Sequence, residues 1–229
     1  MPRSPKVQRS LALIACLLGG LGLPALAAEE IQGRILLEKR GREAKLDRGS
    51  RVVVYYEPAA GAKTEPPAEA FEIVTVRKEF SPRVLGVPLG SRVEFPNRDT
   101  ILHNAFSVSG KNRFDLGLYR KGQSKGVVLK HPGVVQVFCN VHHSMVAHVV
   151  VAESSHITYA DQDGKFRLAD LPAGAGKLTA WYERSEPVSL DLRLPLTKPL
   201  EIRLEVTKPK LPKHNDKNGR SYSRRRSRY

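Results

Sequence analysis

The 229-residue sequence predicts an all-β protein with a β-sandwich followed by a second, smaller one. Short runs rich in Val, Ile, Phe and Tyr recur along the chain, and such runs favour strands. Gly, Pro, Asn and Asp separate the runs, as turn residues do in sandwiches and barrels. Beyond residue 27, no segment shows the apolar repeat of about 3.6 residues that indicates an amphipathic helix.

The amino-terminal 27 residues predict an export signal. Basic residues at positions 3, 6 and 9 precede an apolar run over 11–23, which is short for a bilayer span. Ala25-Leu26-Ala27 has the small-x-small pattern of a cleavage site. We therefore expect 1–27 to be a signal peptide, and the mature protein to be periplasmic without a membrane span. Two alternatives remain: an uncleaved anchor, and lipidation of Cys16 in a lipobox-like sequence.

The rest of the chain divides into three predicted parts. Residues 28–153 form the first domain, and Val52–Tyr56 within it is apolar throughout, which suits a strand buried on both faces. The predicted strands there are Ile31–Leu37, Val52–Tyr56, Phe71–Val76, Val84–Val87, Ser91–Phe95, Ala105–Val108, Gly126–Leu129, Val134–Cys139 and Ala147–Ala152. Residues 154–206 alternate apolar and polar positions around turn signals, which predicts a small antiparallel module packed on the first domain.

A basic tail ends the chain. Residues 207–229 carry nine Lys or Arg and one Asp, a large part of the net charge of +15. With almost no apolar residues this segment cannot bury a core of its own, so we expect it to be disordered. It is a candidate for contact with acidic surfaces. Export argues against a nucleic-acid partner.

The cysteines are informative because signal cleavage would leave Cys139 as the one thiol. Exported proteins usually pair their cysteines, so a lone thiol is buried, reactive, paired with another chain or bound to metal. The segment Cys139-Asn140-Val141-His142-His143-Ser144-Met145 places three potential ligands at C-x2-H-x2-M spacing. Upstream, His103 and Asn104 follow a predicted strand. Thiolate, imidazole and thioether together suit copper that cycles between Cu(I) and Cu(II).

These two segments resemble the cupredoxins. Val93–Asn104 looks like the plastocyanin sequence around its first copper histidine, and Pro132–Met145 resembles the ligand loop, with amicyanin spacing. The resemblance implies a Greek-key sandwich holding one type 1 copper through His103, Cys139, His142 and Met145. It also implies that Asn104 ties the two ligand loops together. His143 stands where many cupredoxins have Pro, which leaves His142 or His143 open as the ligand, with His142 favoured by spacing.

The second module resembles the carboxypeptidase-regulatory or transthyretin-like sandwich. Asp161-Gln162-Asp163-Gly164-Lys165-Phe166, Leu171-Pro172-Ala173-Gly174 and Leu178–Trp181 carry that resemblance, which implies no chemistry. The Asp161–Gly164 segment is interpreted as a β-turn rather than a calcium loop, because it lacks the further ligands of an EF-hand. His148 is interpreted as a surface or packing residue.

The expected function is electron transport between redox partner proteins in the periplasm, and not an enzymatic reaction. A copper oxidase would need further copper sites that seven scattered histidines and one remaining cysteine do not supply. The alternative is copper binding, trafficking or sensing without electron transfer. A third possibility is an adhesion module with a degraded site.

Overall fold

The computed structural model describes residues 28–61 and 65–221. Within these ranges the chain is all-β, as predicted, with strands joined by turns and loops and no helix. The described residues therefore contain no helix that could cross a membrane. The predicted signal peptide, 1–27, and the possible lipidation site Cys16 lie outside them.

Eighteen strands are assigned in the described part of the chain. In chain order they are β1 (Glu29–Lys39), β2 (Arg42–Glu43), β3 (Val53–Pro58), β4 (Phe71–Glu72), β5 (Val74–Val76), β6 (Glu79–Ser81), β7 (Val84–Pro88), β8 (Arg92–Glu94), β9 (Phe106–Ser107), β10 (Phe114–Asp115), β11 (Gly126–Val128), β12 (Gly133–Phe138), β13 (Val146–Ala152), β14 (Ile157–Tyr159), β15 (Lys165–Leu171), β16 (Gly174–Trp181), β17 (Val188–Leu194) and β18 (Leu200–Glu205).

One sandwich contains both candidate ligand loops. Its five-stranded sheet has the order β10-β9-β12-β13-β7, in which β13 is parallel to β7 and antiparallel to β12. The three-stranded sheet β11-β8-β4 and the hairpin β5-β6 supply the opposite side. Alternate residues of the strands meet in one apolar core, which includes Phe95, Val137, Cys139, Met145 and Val149. Cys139 and Met145 therefore belong to the core of the sandwich as well as to its loop.

The other sandwich joins distant parts of the chain. One sheet has the order β15-β1-β18 with β2 paired to β1, and the other has the order β14-β3-β16-β17. Strand β1 is antiparallel to β15 and parallel to β18, while β3 is antiparallel to both β14 and β16. Their inward side chains form one core that includes Ile31, Tyr56, Leu168, Leu178 and Leu204.

This pairing differs from the division at residue 153 expected from the sequence. Strands β1 and β3 lie in the predicted first domain, 28–153, but they complete the sandwich whose other strands lie after residue 154. The physical reason is burial, because the strands after 154 would otherwise leave one apolar face uncovered. Local alternation alone does not identify the strand that will cover such a face.

The two sandwiches pack against each other through strands that are buried on both sides. Val52 and Val54 face the core of the sandwich built around β1 and β3. Val53 packs against Val84 and Val150 of the sandwich that contains the ligand loops. Trp181 belongs to the same interface cluster. The predicted burial of the Val52–Tyr56 segment on both faces thus arises from its position between two cores.

The segment after β18 contacts both sandwiches in its described part. Residues 207–221 form no strand, but their backbone is held by side chains of both sandwiches. The carbonyl of Lys210 accepts a hydrogen bond of 2.8 Å from the Arg83 guanidinium, and that of Lys208 accepts one of 3.1 Å from Arg184. The segment therefore lies on the surfaces of two existing sandwiches and has no core of its own. Residues 222–229 lie outside the described part.

The same segment reaches the predicted ligand loop. The His214 ring stacks on Phe138, with centroids 3.9 Å apart and an interplanar angle of 10°. The Lys217 backbone N–H donates to the Asn140 side-chain oxygen at 3.1 Å, and its ammonium lies 2.5 Å from Asp115. The basic segment therefore contacts the residues on either side of Cys139.

Candidate metal centre

Two loops at one end of the sandwich that contains β12 and β13 carry the candidate ligands. Strand β12 ends at Phe138, so Cys139 follows directly, and β13 begins at Val146, directly after Met145. The backbone N–H of Met145 donates to the His142 carbonyl at 3.0 Å, which closes the short loop on itself. His103 lies between β8 and β9, where its backbone exchanges hydrogen bonds of 3.0 and 3.2 Å with Tyr119.

Three ligand side chains converge from these loops. Nitrogen or sulfur atoms of His103, Cys139 and His142 all lie within 4.8 Å of one another, a spacing that could hold a metal ion. Cys139 Sγ is 3.7 Å from His103 Nδ1, and the ring centroids of His103 and His142 are 4.8 Å apart. Met145 is buried in the same apolar cluster as Cys139. Among the described residues, these three form the one group of three or more His, Cys, Asp or Glu side chains whose atoms are close enough to hold a metal ion.

Asp99 determines which nitrogen of His103 can bind a metal. Its carboxylate lies 2.9 Å from His103 Nε2 and also accepts the backbone N–H groups of Arg77 and Lys78, at 2.6 and 2.8 Å. Partial burial raises the pKa of Asp99, but these three donors outweigh it and hold that pKa below its ordinary value. The carboxylate is therefore ionised, so Nε2 carries the proton and Nδ1 presents its lone pair towards Cys139.

Burial also favours the neutral form of both histidines. Desolvation lowers the pKa of His103 more than Asp99 raises it. Desolvation likewise lowers the pKa of His142, and the charges of His103 and Lys78 add to the effect. Because a metal binds neutral imidazole, both rings are prepared for binding without the loss of a proton near neutral pH.

Asn104 joins the two ligand loops. Its side-chain oxygen accepts the backbone N–H of Asn140 at 2.6 Å, and its side-chain amide donates to Asp115 at 2.9 Å. Asn104 is almost completely buried, so these bonds are shielded from water. The residue after His103 is thus fixed to the residue after Cys139.

The structure separates the two adjacent histidines of the loop. His142 contributes to the converging group, whereas His143 is not a member of it. His142 Nδ1 is buried and has no hydrogen-bond partner among the described residues. A bound metal has to reach all of its donors at once, so membership of the converging group makes His142 the better metal donor of the two.

The donor set fits a soft or borderline metal ion. Cys139 is completely buried and forms no disulfide, so its sulfur is available inside the core. A thiolate, two neutral imidazoles and a nearby thioether are donors that copper accepts in both of its common oxidation states. The carboxylate of Asp99 is engaged by N–H donors and stands behind His103 instead of beside the sulfur.

Two features of the site were not predicted from the sequence. Asp99 was not assigned as the partner of His103, although its position four residues earlier was a possible signal. The predicted strand Phe71–Val76 includes β5, but strand β6 and the turn at Arg77 and Lys78, which supplies both backbone donors to Asp99, were not predicted. Outside the site, His148 follows the packing alternative of its sequence interpretation, because it is buried and its ring packs on Trp181.

Comparison with protein-family models and with curated proteins finds no match. Solved structures give partial likenesses. A purple cupredoxin from Nitrosopumilus maritimus aligns with 36% of this chain and 99% of its own at 24% identity, with a TM-score of 0.32. A reduced tryptophan-to-tyrosine variant of amicyanin aligns with 42% of this chain and 91% of its own at 23% identity and a TM-score of 0.35. A copper-containing nitrite reductase from Thermus scotoductus aligns with 52% of this chain but 28% of its own, at 24% identity and a TM-score of 0.36.

Proposed function

We propose that this protein is an exported type 1 copper protein that carries single electrons between redox partners in the periplasm. The observation that supports the proposal is the convergence of His103, Cys139 and His142 within 4.8 Å, with Met145 buried in the same cluster. These four residues would be the ligands. Two histidines, one thiolate and a weak axial thioether form the ligand set of blue-copper electron-transfer sites.

The surrounding residues hold this geometry in place. Copper would supply the one-electron couple, and the chain supplies a site that changes little between the two oxidation states. Asp99 fixes the ring of His103, and Asn104 fixes the two loops relative to each other. His103, Cys139 and Met145 are at most 1% exposed, so water is excluded from three of the four donors. A rigid, dry site keeps the reorganisation that accompanies each electron transfer small.

His142 is the proposed exit for the electron because it is the one partly exposed residue of the four. Large apolar side chains beside the ligand loops are exposed: Leu102 at 44%, Leu118 at 57% and Val141 at 43%. Leu102 and Val141 directly precede His103 and His142 in the chain. Exposed apolar groups of this kind are typical of surfaces that other proteins contact. We propose that a redox partner docks over this rim.

The test is the optical and EPR spectrum of the mature protein after addition of Cu(II). We expect an intense thiolate-to-copper absorption that disappears on reduction and returns on reoxidation. Cys139→Ser should lose this absorption completely, because the charge-transfer donor is removed. His143→Ala, the matched control in the same loop, should keep it. A colourless wild-type protein, or a Cys139→Ser variant that keeps the colour, would contradict the proposal.

Copper handling is the second candidate, and it is favoured by the imidazoles near the ligand loop. His214 stacks on Phe138. Desolvation by burial lowers the pKa of His214, and the charge of His143 lowers it further. Soft ligands with extra histidines nearby suit the capture and release of Cu(I). Tight Cu(I) binding without a stable blue Cu(II) form would support this function over electron transport.

A further inference from the structure

A large basic cleft lies beside the candidate metal centre, at the junction of the two sandwiches. Its volume is about 810 Å³, and Ser144 and Met145 of the ligand loop form part of its wall. Six basic residues from three separate segments line it: Arg48, Arg51, Arg77, Lys78, Arg83 and Lys210. Glu79 is the one acidic residue of the lining. Folding therefore gathers positive charge next to Met145.

Two of the six cations are neutralised within the protein. Arg83 binds the Glu183 carboxylate at 2.8 Å, and Lys210 lies 3.3 Å from Asp47. Among the described residues, no carboxylate forms a salt bridge with the remaining four, which are Arg48, Arg51, Arg77 and Lys78. All four are exposed. Like charges that share a concave surface raise the local positive potential and attract an anionic partner.

Two of these cations have an unfavourable backbone conformation. Arg77 and Lys78 occupy the tip of the β5-β6 hairpin with φ of 55° and 57°. Tight hairpin turns with positive φ at both central positions favour Asn-Gly, so an Arg-Lys pair is an unfavourable choice for folding. The Asp99 carboxylate holds both N–H groups, and the same carboxylate holds His103. The hairpin tip is thus attached directly to the metal centre.

We propose that this cleft binds a carboxylate-rich segment of a partner protein and docks that partner beside Met145. The cleft is much larger than one oxyanion, and the four cations without a carboxylate partner come from two different loops. The Arg51 guanidinium also lies over the Tyr159 ring, 5.1 Å from its centroid. We expect a peptide segment with several carboxylates to contact more of these cations at once than a single phosphate or sulfate does. The binding follows from charge complementarity alone. The identification of the partner as a redox protein rests on the proposed function.

The test uses the full-length protein and a fluorescently labelled hexaglutamate peptide, with fluorescence anisotropy at low ionic strength. We expect saturable binding that weakens as salt is added, because the charges are exposed to solvent. The variant Arg48→Gln/Arg51→Gln/Lys78→Gln should weaken binding about tenfold, from the loss of three charge pairs. The matched control Arg224→Gln/Arg225→Gln/Arg226→Gln removes the same charge from the tail and should change affinity less than twofold.

Three outcomes would overturn the proposal: equal weakening in both variants, stronger weakening in the tail variant, or complete displacement of the peptide by an equal concentration of inorganic phosphate. If the triple variant does not fold by circular dichroism, the single charge reversal Lys78→Glu replaces it and should also weaken binding. The Cys139→Ser variant should bind the peptide like wild type. A missing copper absorption would contradict the proposed function, and unchanged peptide binding in the triple variant would contradict the cleft proposal, so the two results can be told apart.

Discussion

At the scale of single residues, Asp99 links three parts of the site. Its two oxygens accept two backbone N–H groups of the hairpin and the Nε2–H of His103. A carboxylate behind a metal-binding histidine fixes the tautomer and the ring orientation, and it raises the basicity of the donor nitrogen. Asp99 is thus a positioning residue for His103, although its carboxylate is not a member of the converging group of ligand atoms.

Replacement of Asp99 tests this role. In Asp99→Asn one side-chain oxygen remains as an acceptor, and the amide N–H₂ cannot accept the hairpin or imidazole protons. We expect the affinity for Cu(I) to fall about 10- to 100-fold, as for other losses of such partners. Competition with a chromophoric Cu(I) chelator measures the change. Asp191→Asn, an exposed carboxylate on β17, is the control and should keep wild-type affinity; a similar loss there would contradict the role of Asp99.

The spacing of single residues predicted much of the candidate centre. The C-x2-H-x2-M pattern placed Cys139, His142 and Met145 on one loop, and the structure brings His103 to the same point. Asp99 was harder to recognise because its role depends on a hairpin more than twenty residues earlier in the chain. Spacing favoured His142 over His143 but left both open as the ligand. The three-dimensional path of the loop separates them.

At the scale of secondary-structure elements, the turn between β14 and β15 shows why certain residues are required. Asp161 Oδ1 accepts the backbone N–H groups of Asp163 and Lys165, at 2.9 and 2.8 Å, in a turn at the predicted position. Gly164 has a φ of 79°, and its carbonyl accepts the N–H of Ile35 on β1 at 2.7 Å. The turn therefore also joins β1 to the sandwich.

Substitution of Gly164 measures that contact. A Cβ at this position would lie 2.2 Å from the Ile35 carbonyl oxygen, a backbone atom that cannot move aside without breaking the β1 pairing. Gly41 has a similar φ of 71° and nothing within 4 Å of such a Cβ. We expect Gly41→Ala to cost about 1 kcal/mol from positive φ alone, and Gly164→Ala about 3 kcal/mol or more. Urea denaturation measures both, and equal losses would show that the close approach has no energetic effect.

The elements also show what periodicity could not predict. The alternation in β1 and the apolar run in β3 were sufficient to identify both strands from the sequence. Their partners were not identifiable, because Ile31 and Val54 would be equally well buried in either sandwich. Pairing across more than 100 residues depends on which apolar faces remain uncovered after folding, and a single sequence does not encode that in any local pattern.

At the scale of the whole molecule, the junction between the sandwiches contains a buried polar cluster. His148 on β13 is 2% exposed, and its Nδ1 lies 3.3 Å from the Glu183 carboxylate. That carboxylate is already engaged by the Arg83 guanidinium, whose Nε lies 2.8 and 2.9 Å from its two oxygens. The His148 ring also packs on Trp181, with centroids 5.4 Å apart. The segment around Lys208 covers the cluster from outside.

Acid should weaken this junction. Burial, together with the charges of Arg83 and Lys208, lowers the pKa of His148 to about 4, from an ordinary value of 6.5. Between these two pH values the unfolded chain binds a proton at this residue and the folded protein does not. The free energy of unfolding therefore falls as the pH falls from about 6.5 to about 4, and His148 adds no further loss below that range. Its contribution to the slope is at most about 1.4 kcal/mol per pH unit.

Urea denaturation of the full-length protein at several pH values between 7.5 and 4.5 measures this slope. His148→Gln removes the titrating group but keeps a polar side chain, so its stability should depend less steeply on pH than that of wild type. The other buried histidines titrate in both proteins, so their contributions cancel in the difference. A difference between wild type and His148→Gln that stays constant across this range would contradict the assignment, because a packing defect is independent of pH whereas the loss of a depressed histidine pKa is not.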